Sequence, residues 1–428
     1  MKVYDYKDLS SKKLEEILKR PAIKSDDTAK IVWPILNDIK NQGDSAVIKF
    51  AKKYDDFTGK QIKISNTEIS RAAKKISLST KNAIDIASDN IEKFHLPQKP
   101  KNYTVETTTG IKCTRKFQPI ESVGLYIPGG SAVLISTMLM LGIPAKIAGC
   151  KRVVVCSPTG GTEINPALAY AVHKCNISEF YSIGGAQAVG MLAYGTETFA
   201  KVDKIFGPGN QFVTSAKTLV SIDPDGCPID MPAGPSEVLI IADEFANASF
   251  VAADLLSQAE HGADSHVILL TRSEKLKTAV LKELDTQLTT LPRKYIAEKS
   301  LTNSVIIKVP GNEKAIELSN KYSPEHLIIN TKKPETIVGK IVNAGSVFIG
   351  EYSPESVGDY ASGTNHSLPT YGYAKSYSGL NVEAFMKAIT YQKLSKVGLK
   401  NISQTVINLA ETEKLQAHAN AVKIRLSK

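Results

Sequence analysis

Five of the seven histidines lie in the second half of the chain, and four of them stand in polar company. They are His261 in LLSQAEHGADSH, His326 in YSPEHLIIN, His366 in GDYASGTNHSLPT and His418 in AETEKLQAHANAV. On a helix Gln258 and His261 are neighbours on one face, so they could offer an amide oxygen and an imidazole nitrogen to one cation. Asp254 lies a turn earlier, and Glu260 points elsewhere. This is half a site, and it also reads as the polar end of a buried helix. Asp359 shares a Gly/Ser/Thr-rich loop with His366, while Glu325 precedes His326 and Glu413 stands five residues before His418. A carboxylate beside an imidazole supplies two bases of different pKa. Nitrogen and oxygen donors without thiolate suit zinc or a similar divalent ion in an open catalytic site. His95 and His173 read as packing residues, and His266 as the start of a strand.

The elements that must hold these groups change character along the chain. The first hundred residues carry helical periodicity, stopped at Pro21 and split at Gly43. Nine short β-branched runs follow: VGLYIP, RVVVCSP, EFYSIGG, KIFGPG, EVLIIAD, HVILLT, SVIIKV, HLIIN and SVFIG. Helical stretches separate most of them, which predicts two α/β domains with parallel sheets, Rossmann-like, one inserted in the other. The expected division is a helical extension over 1–24, a larger α/β domain over 25–125 and 235–378, an inserted α/β domain over 126–234, and a strand-free helical tail over 379–428. Glycines cluster at strand ends in IPGGS, SIGGAQAVG and FGPGN, where backbone N–H groups can approach phosphate. No GxGxxG fingerprint is present, so tight turns and an unusual nucleotide site both remain open.

The 428 residues suffice for two or three cores, with 42% hydrophobic and 22% charged residues. The net charge of +10 is scattered, without a run of five Lys/Arg or a basic aromatic platform, so nucleic acid is not expected as a partner. Five cysteines without a CxxC pair argue against a disulfide framework and a thiolate zinc site. The polar N-terminus has no signal core, and the apolar run from Ala132 to Ile143 is too short to span a bilayer. A cytoplasmic protein with no membrane partner is expected.

The blocks IDMPAGPSEVLIIAD, LLSQAEHGADS, SPEHL and GDYASGTNHSLPTYGYAKSYSGL, with RPAI and VGLYIPGG, resemble the L-histidinol dehydrogenase family over essentially the whole chain. The resemblance implies a zinc-dependent enzyme that oxidises L-histidinol through L-histidinaldehyde to L-histidine with two NAD⁺. It implies one zinc per subunit on Gln258, His261, Asp359 and His418, with His326 as general base and Glu325 activating water. Ser236, His366 and Glu413 match further substrate contacts; Gln258, His261, His326, Asp359 and His418 also face the substrate. Tyr126, Gln187 and Asn210 match NAD contacts in the inserted domain. The family is a homodimer whose tail reaches the partner's site. Ser323, Ile328, Thr412 and Lys414 depart from the usual family residues, and none is a named ligand. The alternative is a zinc hydrolase using the same metal site, with Glu325 as base and no nucleotide.

Overall fold

The computed structural model describes residues 1–20, 25–59, 61–129, 134–159, 163–232 and 234–427. Strand β1 (Lys2–Asp5) and helix α1 (Ser11–Ile17) open the chain. Helix α2 (Ser25–Tyr54) is two helices meeting at Gly43, whose φ of 52° and ψ of −128° favour glycine. After β2 (Lys63–Ile64), a capping box of Ser65 and Glu68 starts α3 (Asn66–Ala73), and α4 (Leu78–His95) follows. Strands β3 (Tyr103–Thr108) and β4 (Ile111–Pro119) then form an antiparallel pair.

Next comes β5 (Ser122–Tyr126), α5 (Ile135–Ala148), β6 (Arg152–Cys156), α6 (Pro166–Lys174), β7 (Glu179–Tyr181), α7 (Gly185–Tyr194), β8 (Lys204–Phe206) and α8 (Gln211–Ile222). The sheet runs β2-β7-β6-β5-β8, parallel except for β2 at its edge. Its four parallel strands stand third, second, first, fourth in chain order, as in one half of a dinucleotide-binding fold. Helix α2 packs on α7 and α8, while α3 and α4 pack against α5 and α6. The two faces are closed by Val123, Leu125, Met138, Leu141 and Phe180 on one side and Val32, Leu36, Ile39, Val189 and Ile205 on the other. The helices of 25–95 thus cover this five-stranded sheet, although the sequence division grouped them with 235–378. An amphipathic pattern shows that a face is buried but not against which sheet.

The second sheet is built from β9 (Glu237–Ala242), β10 (His266–Thr271), β11 (Val305–Lys308), β12 (His326–Asn330) and β13 (Ser346–Ile349). Between them run α9 (Ala248–Ala259), α10 (Glu274–Leu288), α11 (Lys294–Asn303), α12 (Asn312–Tyr322) and α13 (Glu335–Val338). All neighbours in the order β1-β11-β10-β9-β12-β13 are parallel. Strands β9, β10 and β12 are buried throughout, which their near-continuous apolar sequences require when helices cover both faces. The first segment is therefore not a purely helical extension, because β1 closes the edge of this sheet on β11.

The chain ends with α14 (Glu355–Tyr360), β14 (Met386–Leu394), α15 (Lys396–Thr412) and α16 (Gln416–Leu426). The expectation of a strand-free tail fails at β14, which pairs antiparallel with β4 from Met386 opposite Pro119 to Leu394 opposite Ile111. This three-stranded sheet, β14-β4-β3, is largely exposed and so lacks the apolar alternation that marks a strand in sequence. The nine strands expected from β-branched runs are all present as β5–β13. The α/β class with two parallel, Rossmann-like sheets holds. Among the described residues no helix is long and apolar enough to cross a membrane.

Candidate active site

Residues of the candidate metal and catalytic set converge at the amino ends of β9 and β12. Glu325 lies just before β12, and His326 is its first residue. Both are buried, as is Glu237 at the start of β9. Glu237 N–H donates to Glu325 Oε2 at 2.8 Å, and the Glu237 carbonyl accepts from His326 Nδ1 at 3.1 Å. A carbonyl can only accept, so Nδ1 carries the proton and the lone pair of neutral His326 is on Nε2. That Nε2 is buried without a hydrogen-bond partner and stands 3.4 Å from Asp359 Oδ1, which also lacks one. Asp359 lies on α14, and Ser236 immediately precedes β9, its carbonyl accepting from His266 N–H at 3.1 Å.

Gln258 is fully buried near the end of α9. The amide orientation that satisfies its surroundings donates to Glu355 at 2.8 and 3.2 Å and accepts from Glu237 N–H at 3.2 Å. His261 is not on the helix, as the spacing argument assumed: α9 ends at Ala259 and Glu260 caps it. A turn bond from His261 N–H to the Gln258 carbonyl at 3.3 Å still keeps the two adjacent. His366 approaches from the loop after α14, its Nε2 3.3 Å from Thr137 Oγ1 at the start of α5. The amino end of the six-stranded sheet thereby touches the helix that leaves the carboxyl end of β5.

The electrostatics mark this cluster as ionisable. Burial opposes charge on His326, but Glu325 and Asp359 outweigh it and raise the imidazole well above its ordinary value. Burial pushes Glu325 up. It also drives Asp254 up to about 7 and Glu355 up to about 8. Burial likewise raises Asp359, yet His326 holds it below the usual carboxylate value, and its field reaches His261 and His366. Desolvation lowers His366 to about 4, so it is a neutral imidazole near pH 7.

A separate cleft of about 840 Å³ opens at the carboxyl ends of β5–β8, and Tyr126, Gln187 and Asn210 all line it. Asn210 caps α8 through Oδ1, accepting from Phe212 and Val213 N–H at 3.0 and 3.1 Å. Tyr126 hydroxyl accepts from Gly185 N–H at 3.1 Å. Asp55 Oδ2 takes Gly184 N–H and Gln187 Nε2, both at 2.9 Å. The described lining contains Asp55, Asp56 and Glu163 and no Lys, Arg or His.

Glu413 and His418 are not brought to either region. Glu413 caps α15 and His418 lies on α16, both exposed, and this tail packs chiefly on itself and on β14 and β3. Among the described residues no group of three or more His, Cys, Asp or Glu side chains forms a metal centre. The donors present, an amide, an imidazole and a carboxylate with a buried unpartnered oxygen, fit a divalent ion that takes a further ligand from elsewhere.

Buried carboxylates around a hydrogen-bonded imidazole supply general bases, and a separate cleft lies on a sheet with dinucleotide-binding strand order; the chain's relatives decide between the reactions these could serve. Residues 18–426 match the family model described as histidinol dehydrogenase. The chain belongs to the histidinol dehydrogenase family. Curated histidinol dehydrogenases from Campylobacter jejuni (strain RM1221) and Vibrio vulnificus (strain YJ016) are 51% and 49% identical, each over 100% of this chain and 99% of the relative. The crystal structure of histidinol dehydrogenase from Elizabethkingia anophelis superposes with a TM-score of 0.95 at 49% identity, over 100% of this chain and 98% of that one. Like other histidinol dehydrogenases, the protein is an oxidoreductase of histidine biosynthesis, and the hydrolase alternative is not favoured.

Sequence reasoning passed over several residues of this histidinol dehydrogenase site. Glu237 was visible only as the first residue of a buried strand, and Glu355 as a carboxylate four residues before Asp359. Arg20, which binds Glu237, carried no chemical signal beyond its place at the head of the RPAI block.

Proposed function

We propose that this histidinol dehydrogenase binds NAD⁺ in the cleft lined by Tyr126, Gln187 and Asn210 and oxidises L-histidinol at the amino ends of β9 and β12. The observation that carries this reading is His326: its Nδ1 is committed to the Glu237 carbonyl, and its buried Nε2 is uncommitted. In its deprotonated form an imidazole so held accepts the hydroxyl proton at Nε2, and the carboxylates that raise its affinity for a proton make it the stronger base, while the carbinol hydrogen leaves as hydride to NAD⁺, giving aldehyde and NADH. Glu325 then removes a proton from water as it adds to the aldehyde. The hydrate anion so formed loses a second hydride to a second NAD⁺, and the resulting acid releases its proton to give the carboxylate. Ser236 and His366 border the substrate. The carboxylate lining of the cleft, with no described cation, favours NAD⁺ over its 2′-phosphorylated form.

Gln258, His261 and Asp359 would hold one zinc ion, with His418 as the fourth protein ligand. When bound, zinc supplies a fixed positive charge that orients the imidazole and amino nitrogens of histidinol. His418 and Glu413 serve the site from the tail of a partner subunit in a homodimer, since their own tail packs mainly elsewhere. The reading describes a cytoplasmic enzyme without a membrane or nucleic-acid partner.

Histidinol-dependent NADH formation should disappear when zinc is chelated and return on readdition; full activity in metal-free protein would overturn the metal assignment. Heterodimers of a His326→Asn chain with a His418→Ala chain should regain about one competent site if tails cross. No recovery in verified heterodimers would assign each tail to its own subunit.

A further inference from the structure

Arg20 lies far in sequence from every residue of the candidate site, yet its guanidinium is mostly buried against it, with its side chain 13% exposed. Nε donates to Glu237 Oε1 at 2.5 Å and Nη2 to Glu237 Oε2 at 2.8 Å, a bidentate pair. Nη2 also reaches the carbonyls of Tyr322 and Ser323 at 2.8 and 3.2 Å. The guanidinium carbon sits 3.9 Å from the centroid of the Tyr322 ring.

Those two carbonyls belong to the end of α12, where Ser323 turns out of the helix at φ 56°. A cation there satisfies acceptors that a helix end leaves unpaired and matches the negative end of its dipole. Two residues further on stand Glu325 and His326. Glu237, the other partner of Arg20, is the residue whose backbone N–H and carbonyl hold Glu325 and His326. Beyond the two bonds from Arg20, its carboxylate also accepts from Tyr371 N–H at 2.7 Å. One side chain therefore joins the start of β9 to the turn that delivers β12. The two candidate catalytic groups hang on both halves of that joint.

We propose that Arg20 is a positioning residue for the Glu325–His326 pair, acting through Glu237 and the end of α12. The inference rests on the roles given to Glu325 and His326 above. The bidentate fork fixes the direction of the Glu237 peptide, and with it the Nδ1–H tautomer of His326 and the lie of Glu325. Lysine, a single point donor, cannot bond both carboxylate oxygens and the helix-end carbonyls in the same geometry. The pair also places a positive charge against a buried carboxylate that would otherwise stand unpaired beside Glu325.

The test is a double-mutant cycle on zinc-loaded protein, with rates expressed per folded, metal-containing site. Arg20→Met should lower kcat by about 10²-fold, the loss typical of a small misplacement at the reacting centre. Zinc content and KM for NAD⁺ should stay within about twofold of wild type. In the Glu325→Gln background Arg20→Met should add little further loss to aldehyde oxidation, because both changes act on one group. Full multiplication of the two losses would overturn the proposal, because Arg20 would then act on the rate independently of Glu325. Wild-type activity in Arg20→Met would overturn it as well. Should Arg20→Met fail to fold, Arg20→Lys takes its place in the same cycle, with a kcat loss of about tenfold expected and an unchanged rate counting against the proposal. If Glu325→Gln and His326→Asn themselves keep full activity, the failure lies in the catalytic assignment and not in Arg20.

Discussion

At the carboxyl ends of β5–β8 the chain presents glycine-rich turns and the N-termini of α7 and α8, whereas at the amino ends of β9 and β12 it presents ionisable side chains and the C-termini of α9 and α12. Both sheets share the third-second-first-fourth strand order, yet the cleft opens at the carboxyl ends of one and the ionisable cluster stands at the amino ends of the other. Helix dipoles explain the division. N-termini carry partial positive charge and suit the pyrophosphate of a dinucleotide, while C-termini carry partial negative charge and suit a metal ion or an imidazolium. Arg20 on the carbonyls of Tyr322 and Ser323, and Gln258 with His261 at the end of α9, follow the second rule. His366 against Thr137 links the loop after α14 to α5, the helix that follows β5.

The sharpest way to break this division is His326→Asn. NADH formation should fall by about 10²–10⁴-fold, the range for losing a general base, with zinc content and NAD⁺ binding kept. Loss of metal in that variant would make His326 a ligand instead. Glu325→Gln should mainly slow aldehyde oxidation, by about 10²-fold, and let aldehyde accumulate in rapid-quench samples. Equal loss in both oxidations would remove its separate role.

The cleft should respond differently. Gly185 has φ +62°, and a Cβ there would lie 2.7 Å from Gln187 Oε1. Gly185→Ala should therefore raise KM for NAD⁺ by about tenfold while zinc content and histidinol binding stay unchanged. Weakened metal binding would erase the separation of the two regions.

The smallest effect concerns pH. Burial lowers His266, at the amino end of β10, to about 4 from an ordinary 6.5, so the folded protein holds it neutral. Between these values the unfolded chain binds a proton that the folded one refuses. Its contribution to stability is present above pH 6.5 and is lost toward pH 4, about 3 kcal/mol across the window. Urea unfolding of His266→Gln should show a flatter pH slope there than wild type. An unchanged slope would place the acid sensitivity elsewhere.

Much of this arrangement was legible in sequence where burial leaves a mark. The β-branched runs of β9, β10 and β12 are apolar because both faces are covered, so they announce themselves. Strands β3, β4 and β14 are exposed on much of their surface, and β1 and β2 are short edges, so no hydrophobic period reveals them. Spacing alone suggested only Gln258 with His261 and the two Glu–His pairs. Asp359 and His418 joined the metal set through family resemblance. The contact of Arg20 with Glu237 spans 217 positions and depends on tertiary packing alone.

The most direct measurement is the number of NADH molecules formed per histidinol consumed by the zinc-loaded protein. Two NADH with histidine as the end product is the expected result if, as proposed, one site holds both the hydroxyl base and the water-activating carboxylate. One NADH with free aldehyde as the final product would contradict the joint role of Glu325 and His326, and none would contradict the dehydrogenase site itself.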